Sequence, residues 1–265
     1  MNDNIKKALM RLLAILIVFI ISYAYNRFFM KENLNNSKKV NLKDNINNSK
    51  FADVDLNNED FNVLFMYVGQ ADSTLIKYKN KTMLIDAGNN EDGKNIVKFL
   101  KDKGISKLDY IVGTHYDEDH IGGLDDIIEN FDIGKFYLSN GGELGVNYYN
   151  LEKAAKKKNL NITIPKVGDK IDFGDVDMEV MAASKFDGKN DNNASIVIQA
   201  KYGSRKYLFM GDLEKQEEAK RKWNEVDVLK AGHHGSNTSS TQEFLNQVKP
   251  KYVFVSAGKN NRYRL

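Results

Sequence analysis

Cysteine is absent from all 265 residues, which excludes disulfide staples, cysteine-ligated zinc, iron–sulfur centres and thiol nucleophiles. No charge of one sign dominates: 39 Lys and Arg against 36 Asp and Glu leave a net of +3. That balance excludes a strongly basic wrapper of nucleic acid and an acidic disordered tail. Histidine is scarce at 4 residues, and proline scarcer at 2. What is present is a chain 42% hydrophobic and 28% charged. It is long enough for one large domain or two small ones, with a real core.

Lys6, Lys7 and Arg11 precede an apolar run from Leu12 to Ala24, followed by Arg27, Phe28, Phe29 and Met30. The run is short against the roughly 20 residues of a spanning helix, but Tyr23, Tyr25, Phe28 and Phe29 suit an interfacial belt. It also fits a cleavable signal peptide, with Ser22-Tyr23-Ala24 as a small-x-small site. Residues 1–30 are therefore read as a signal peptide or membrane anchor. Either reading places the rest outside the cytoplasm. Residues 31–60, rich in Asn, Lys, Asp and Ser, read as a polar linker that cannot bury enough to order itself. Residues 61–265 read as the folded domain. Without residues 1–26 the chain carries 36 basic and 35 acidic groups, nearly neutral.

From Phe61 the pattern changes. Phe61–Val68 reads as a strand covered on both faces. Thr74–Tyr78 and Thr82–Ile85 flank a hairpin turn, and Asn95–Lys103 has helical spacing ended by Gly104. Leu108–Val112 reads as a buried strand, Ile121–Ile128 as a helix, Lys135–Leu138 as a strand and Asn150–Lys158 as a lysine-faced helix. Strands follow at 162–165, 170–173, 176–181, 195–202 and 206–210. Leu213–Trp223 reads as a helix, 226–230 as a strand, 240–248 as a helix begun by a Ser240/Glu243 capping box, and 252–255 as a last strand. Strand-rich halves with interleaved helices predict an α/β fold of two packed sheets with helices outside, an αββα sandwich.

The chemistry gathers at strand ends. Thr114-His115-Tyr116-Asp117-Glu118-Asp119-His120-Ile121-Gly122-Gly123 follows strand 108–112, and imidazole with carboxylate is a ligand set for a divalent transition metal. The paired glycines let a helix start close to such an ion. Gly211-Asp212 ends strand 206–210. Gly232-His233-His234-Gly235-Ser236 ends strand 226–230 and holds the other two histidines. Together these groups supply ligands for one or two metal ions.

These pieces resemble the metallo-β-lactamase superfamily, and more narrowly the soluble domain of the competence protein ComEC and its standalone relatives. The matching segments are Val68-Gly69-Gln70-Ala71-Asp72-Ser73, Leu84-Ile85-Asp86-Ala87-Gly88, His115-x-Asp117-x-Asp119-His120-Ile121-Gly122-Gly123, Asn192-Asn193-Ala194-Ser195, Met210-Gly211-Asp212-Leu213, Gly232–Ser236 and Lys259-Asn260-Asn261-Arg262-Tyr263. The resemblance implies His115 and Asp117 at a first metal site, Asp119, His120 and His234 at a second, and Asp212 bridging them. It implies catalytic roles for Asp119, Asp212 and His233, with His233 contacting substrate or donating a proton. Asp86 becomes a group orienting the metal loop, and Asp72, Ser73, Asn193 and Ser236 become supporting or substrate-facing groups. Three departures stand out. The superfamily usually has His where Asp117 stands and a further His near Asn192-Asn193, for which no histidine remains. Ala71 replaces a common Gly. The family segment continues past Arg262-Tyr263 with a Gly-His-Pro turn and a helix, so the resemblance implies a domain shortened at its carboxyl end.

The cofactor implied is one or two divalent ions, zinc or manganese, with the harder oxygen ligands favouring manganese. The activity implied is metal-dependent hydrolysis of phosphodiester bonds, with DNA, the membrane and the competence machinery as partners. A local basic patch would have to hold DNA, at Lys153, Lys156, Lys157 and Lys158 or at Arg221 and Lys222. Two other readings use the same residues: a small-molecule or cell-envelope ester hydrolase, and a non-catalytic DNA-binding or scaffold module.

Overall fold

The computed structural model describes residues 55, 56 and 60–259. The amino-terminal segment, most of the linker and residues 260–265 lie outside them. Among the described residues no helix is long and apolar enough to cross a membrane.

Among the described residues twelve strands form two six-stranded sheets. The first runs β1 (Phe61–Phe65), β2 (Thr74–Tyr78), β3 (Lys81–Ile85), β4 (Lys107–Gly113), β5 (Asp132–Leu138), β6 (Ile162–Thr163). Its hairpin strands β1–β3 are antiparallel, and β3 to β6 are parallel. The second holds β7 (Lys170–Phe173), β8 (Val176–Ala182), β9 (Val197–Tyr202) and β10 (Arg205–Phe209), paired antiparallel. It ends with β11 (Val228–Lys230) and β12 (Tyr252–Phe254), paired parallel. Parallel pairs need crossovers. These carry α1 (Gly93–Asp102), α2 (Glu118–Ile121), α3 (Leu124–Asn130), α4 (Val146–Lys157), α5 (Lys215–Glu218) and α6 (Gln242–Val248).

Three apolar layers hold the sandwich. Ile76, Met83 and Ile85 of the first sheet pack with Phe173, Val180, Ile198 and Phe209 of the second in one buried cluster between the sheets. The outer face of the first sheet, with Leu84, Leu108 and Phe136, is covered by Ile96 and Leu100 of α1, Ile127 of α3 and Leu151 of α4. The outer face of the second is covered by Trp223 and by Phe244 and Val248 of α6. Layers of helix, sheet, sheet and helix follow, as the alternation of patterns implies.

Several local expectations shift. The first strand stops at Phe65 and is half-buried, because it lies at a sheet edge where one flank has no neighbouring strand. Leu56, inside the stretch read as linker, is buried in the core, and Lys77 and Asn62 donate to its carbonyl. The helix expected over Ile121–Ile128 splits at Gly122-Gly123 into α2 and α3. That expected over Leu213–Trp223 shrinks to the single turn α5, beyond which Trp223 turns inward to donate its indole N–H to the Glu218 carbonyl. The α6 cap is Thr241, whose hydroxyl accepts from Phe244 N–H, whereas Ser240 sits at φ 53° outside the helix.

Beside α5, Glu217 accepts from Ser184 Oγ at 2.7 Å, from Arg221 at 2.8 Å and from Lys220. Burial alone would raise its pKa, but these donors hold it at about 2. A carboxyl depressed in the folded state stabilises above its ordinary pKa, and that contribution fades as pH falls from 4.5 to about 2. Denaturant titrations at pH 6 and pH 2.5 are expected to differ by about 2 kcal/mol less in Glu217→Gln than in the wild type. Equal differences would contradict this.

Candidate metal centre

The candidate residues sit where strands stop. Asp86 follows β3, His115 follows β4, Asp212 follows β10 and the Gly232–Gly235 turn follows β11. All lie at the carboxyl ends of the parallel strands, the usual place for a site in such sheets. Left-handed backbone turns the chain sharply there: Asp86 has φ 57°, Gly211 53°, His233 47° and His234 51°. Non-glycine residues hold that conformation at a cost of about 1–3 kcal/mol each, kept up only where surrounding contacts over-determine it. The two sheets meet at this edge. Ile196 N–H donates to the Thr114 carbonyl at 2.9 Å, and Asp212 N–H donates to Ser195 Oγ at 3.1 Å.

Main-chain bonds stitch three loops beneath the site: Asp72 N–H to Asp119 O, Ala87 N–H to His120 O and Gly88 N–H to Asp72 O. The glycine pair serves this stitching. A Cβ on Gly122 would come within 2.5 Å of Asn90 N, and one on Gly123 within 2.7 Å of Gly93 Cα. The expectation was room for a helix beside an ion. The closer reason is contact between two backbones.

His120 Nε2 lies 3.2 Å from Asp212 Oδ1. His234 Nε2 lies 3.1 Å from Asp119 Oδ2 and 3.3 Å from Asp212 Oδ2. Asp72, His120, Asp212 and His234 are all buried and offer ligand atoms within 4.8 Å of one another. His115 Nε2 lies 3.5 Å from Asp117 Oδ2. Asp72, read as a supporting group, is thus inside the cluster.

The outer nitrogens are held. His120 Nδ1 faces Asp86 Oδ2 at 2.8 Å, and His234 Nδ1 donates to the Ser256 carbonyl at 2.9 Å. Asp86 in turn accepts from the Thr114 N–H and hydroxyl, both at 2.8 Å. Such partners orient ligating imidazoles and leave Nε2 toward the ion. Ser73 faces away, donating to the Asp86 carbonyl. Ser236 hydrogen-bonds Thr238.

Charge is concentrated here. Burial opposes the charge on His120, yet Asp212 and Asp86 raise its pKa well above the imidazole range. His234, likewise opposed by burial, is raised to about 11 by Asp212, Asp119 and Asp72. Burial would raise Asp212, but the two imidazoles hold it well below the carboxylate range. Asp72 is lowered against burial by Lys230 and His234. Protons on the histidines thus balance the carboxylates, and a metal ion binding there would displace them.

Does this set fit a cation? Five of the seven buried side-chain atoms without a hydrogen-bond partner among the described residues belong to these histidines and aspartates: Asp72 Oδ1, His115 Nε2, His120 Nε2, Asp212 Oδ1 and His234 Nε2. Buried polar atoms are seldom left unpaired. Nitrogen and oxygen donors that approach one another without hydrogen-bond geometry fit a shared divalent ion.

Sequence reasoning passed over Lys230. Its ammonium, buried at the end of β11, lies 2.6 Å from Asp72 Oδ2. A lysine closing a strand otherwise apolar and just before Gly232 was the available signal. The proposed DNA-binding Arg221 is spent on Glu217 and Ser184, and Lys156 and Lys157 pair with Glu152 and Glu129. A cavity of about 480 Å³ between Asp132, Lys135, Lys158 and Thr163 lies at the opposite ends of the strands.

A four-layer αββα sandwich with a His/Asp cluster at the joined strand ends defines the class by its fold and by a candidate metal-binding group. The family model for the metallo-beta-lactamase superfamily matches residues 66–259, and the chain belongs to that family. ComE operon protein 3 of Bacillus subtilis is 34% identical over 174 residues, 64% of this chain and 22% of that protein. Competence protein ComA of Neisseria gonorrhoeae is 31% identical over 206 residues, 74% of this chain and 27% of that protein. The matched region thus spans about a quarter of the length of these relatives. Among solved structures, CmlA, a diiron beta-hydroxylase from Streptomyces venezuelae, aligns with a TM-score of 0.50 at 15% identity over 75% of this chain and 45% of that one. That likeness speaks for the fold alone.

Proposed function

We propose that this protein is a metal-dependent phosphodiesterase that acts on DNA outside the cytoplasm and serves DNA uptake. The unpaired buried donor set at the joined strand ends carries the hydrolytic part of the reading. The names of its competence relatives support the DNA part. The basic, apolar amino end supports export.

His115, Asp117, Asp119, His120, Asp212 and His234 would hold the ion or ions, with Asp212 between the two groups. The carboxylate-rich set favours manganese over zinc. Bound there, a divalent ion supplies a Lewis acid and brings water near neutral pKa. The chain does the rest. Asp86 and the Ser256 carbonyl keep the Nε2 atoms of His120 and His234 facing inward. Asp119, 29% exposed at the mouth, is placed to orient the attacking water and take its proton. His233 Nε2, 3.9 Å from Asp212 and partly open, is placed where it would meet a phosphate oxygen of bound substrate.

The full chain with Mn²⁺ is expected to cut linear single- or double-stranded DNA, and chelation to stop it. No cleavage with any stoichiometrically bound metal, or cleavage that survives Asp212→Ala, defeats the reading.

A further inference from the structure

The loop between β5 and α4 carries an apolar surface that the metal centre does not use. β5 runs parallel to β4, so the loop after Leu138 rises from the same sheet edge as the metal loop after β4. Its base is fixed. Phe186 N–H donates to the Asn140 carbonyl at 3.0 Å, and Glu143 N–H donates to Asp191 Oδ2 at 2.8 Å. Gly142 lies so close to the Tyr116 ring that a Cβ there would come within 2.3 Å of its Cγ. The apolar tip is nonetheless in water: Leu144 is 59% exposed, Val146 67% and Tyr149 55%. Exposed apolar side chains gathered in this way mark a binding surface. Tyr116, between His115 and Asp117, stacks on Tyr148 with centroids 4.9 Å apart, and Tyr148 meets Tyr149 edge-on at 5.8 Å. The aromatic surface thus begins in the metal loop and ends in solvent. Asn90 Nδ2 ties the start of α4 to that loop, donating to Asn147 Oδ1 at 3.0 Å and to Glu118 Oε1 at 2.7 Å.

We propose that the exposed face of α4 receives a single DNA strand on its way to the metal centre, with an unstacked base on Tyr149 and a phosphate at Lys153. The inference rests on the phosphodiesterase reading and names the form of DNA that it takes. Residues four apart share one face of a helix. Lys153 therefore follows Tyr149 on the outer side of α4, and both are exposed. A ring and a cation side by side match the succession of base and phosphate along a strand. The nearly neutral chain offers no broad field of the kind that holds a duplex by its phosphates. A duplex also hides the faces of its bases, which a single strand presents. Leu144 and Val146 would flank the base and keep water from it. Lys156 and Lys157, further along the helix, pair at the surface with Glu152 and Glu129. Such pairs are weak, and a phosphate can replace either carboxylate. A lipid surface would also accept aliphatic and tyrosine side chains, but it gives no reason for the patch to begin between two metal ligands.

Binding is measured on the full chain in EDTA, where metal-dependent cleavage is silent, with a short oligonucleotide carrying 2-aminopurine. The wild type is expected to bind the single strand at least about tenfold more tightly than the same sequence as a duplex, and to quench the 2-aminopurine by stacking. Tyr149→Ala is expected to weaken single-strand binding roughly tenfold and to abolish the quenching, and Tyr149→Phe to keep both. Lys153→Gln should keep the quenching and lower the slope of log affinity against log salt by about 0.7, the share of one phosphate on a single strand. Both side chains are exposed, so melting temperatures are expected within about 2 °C of the wild type. Unchanged single-strand affinity in Tyr149→Ala overturns the proposal, and so does equal or tighter binding of the duplex. Weaker retention of Tyr149→Ala on phosphatidylglycerol vesicles, with oligonucleotide affinity intact, assigns the face to lipid and overturns it too. Cleavage in Mn²⁺ decides the phosphodiesterase reading separately. A wild type that holds single strands through Tyr149 and cuts none keeps this site and loses that reading. A wild type that cuts DNA, with Tyr149→Ala binding as tightly, keeps that reading and loses this site.

Discussion

Asp212→Ala is expected to empty the metal centre and abolish hydrolysis. Among the described residues Asp212 is the one carboxylate within 4 Å of three histidines, at 3.2 Å from His120, 3.3 Å from His234 and 3.9 Å from His233. Losing a group that only supports a ligand typically costs roughly 10–100-fold in affinity or activity. Losing the shared ligand itself should cost more. Metal content by elemental analysis is therefore expected to fall to background. The metal-free variant should also be weaker than the metal-free wild type by about 3 kcal/mol, because two buried imidazoles lose their counter-charge. Adding Mn²⁺ at one hundred times its dissociation constant should stabilise the wild type by about 2.7 kcal/mol, and leave the variant's melting temperature where it was. A variant that keeps its metal would mean that the ion sits on His115 and Asp117 without Asp212.

Gly123→Ala is expected to be nearly as damaging without touching a ligand. The added methyl would meet the Ala87 carbonyl oxygen, and Gly93 Cα at 2.7 Å and Gly93 N at 2.9 Å. All three are backbone atoms, so no side chain can swing aside. Overpacking costs about 1–3 kcal/mol where side chains can adjust, and here about 3 kcal/mol is expected. For a domain of this size that lowers Tm by about 6–12 °C. The Ala87–His120 bond would shift with it, so metal affinity should fall too. Gly145→Ala, where a Cβ meets nothing within 4 Å, is the matched control. Equal melting temperatures for the two variants would show that the loops yield more easily than their main-chain stitching suggests.

Much of the site was legible because metal chemistry restricts residue types. His115, Asp119, His120, Asp212 and His234 stand out in a chain with 4 histidines, since each follows a strand and offers a metal donor. Asp86 was legible only through resemblance, because one carboxylate after a strand says nothing by itself. Asp72 was underestimated and Glu214 passed over for a single reason. Their weight comes from burial beside Lys230 and His233, which lie 158 and 19 residues further along the chain. The short α5 and the split between α2 and α3 were misread because tertiary contacts outweigh local helix pattern at strand ends.

By itself the sequence determined the αββα alternation, the absence of thiol chemistry and the pool of metal donors. These follow from periodicity and residue chemistry, which are local. Only the tertiary structure decided that Asp72 enters the cluster, that Lys230 neutralises it from within, and that Glu214 is buried beside His233. Those facts depend on which side chains lose water together and must then satisfy one another's charge. Such pairings are set when two sheets close at their carboxyl edges, and they leave no period in the chain.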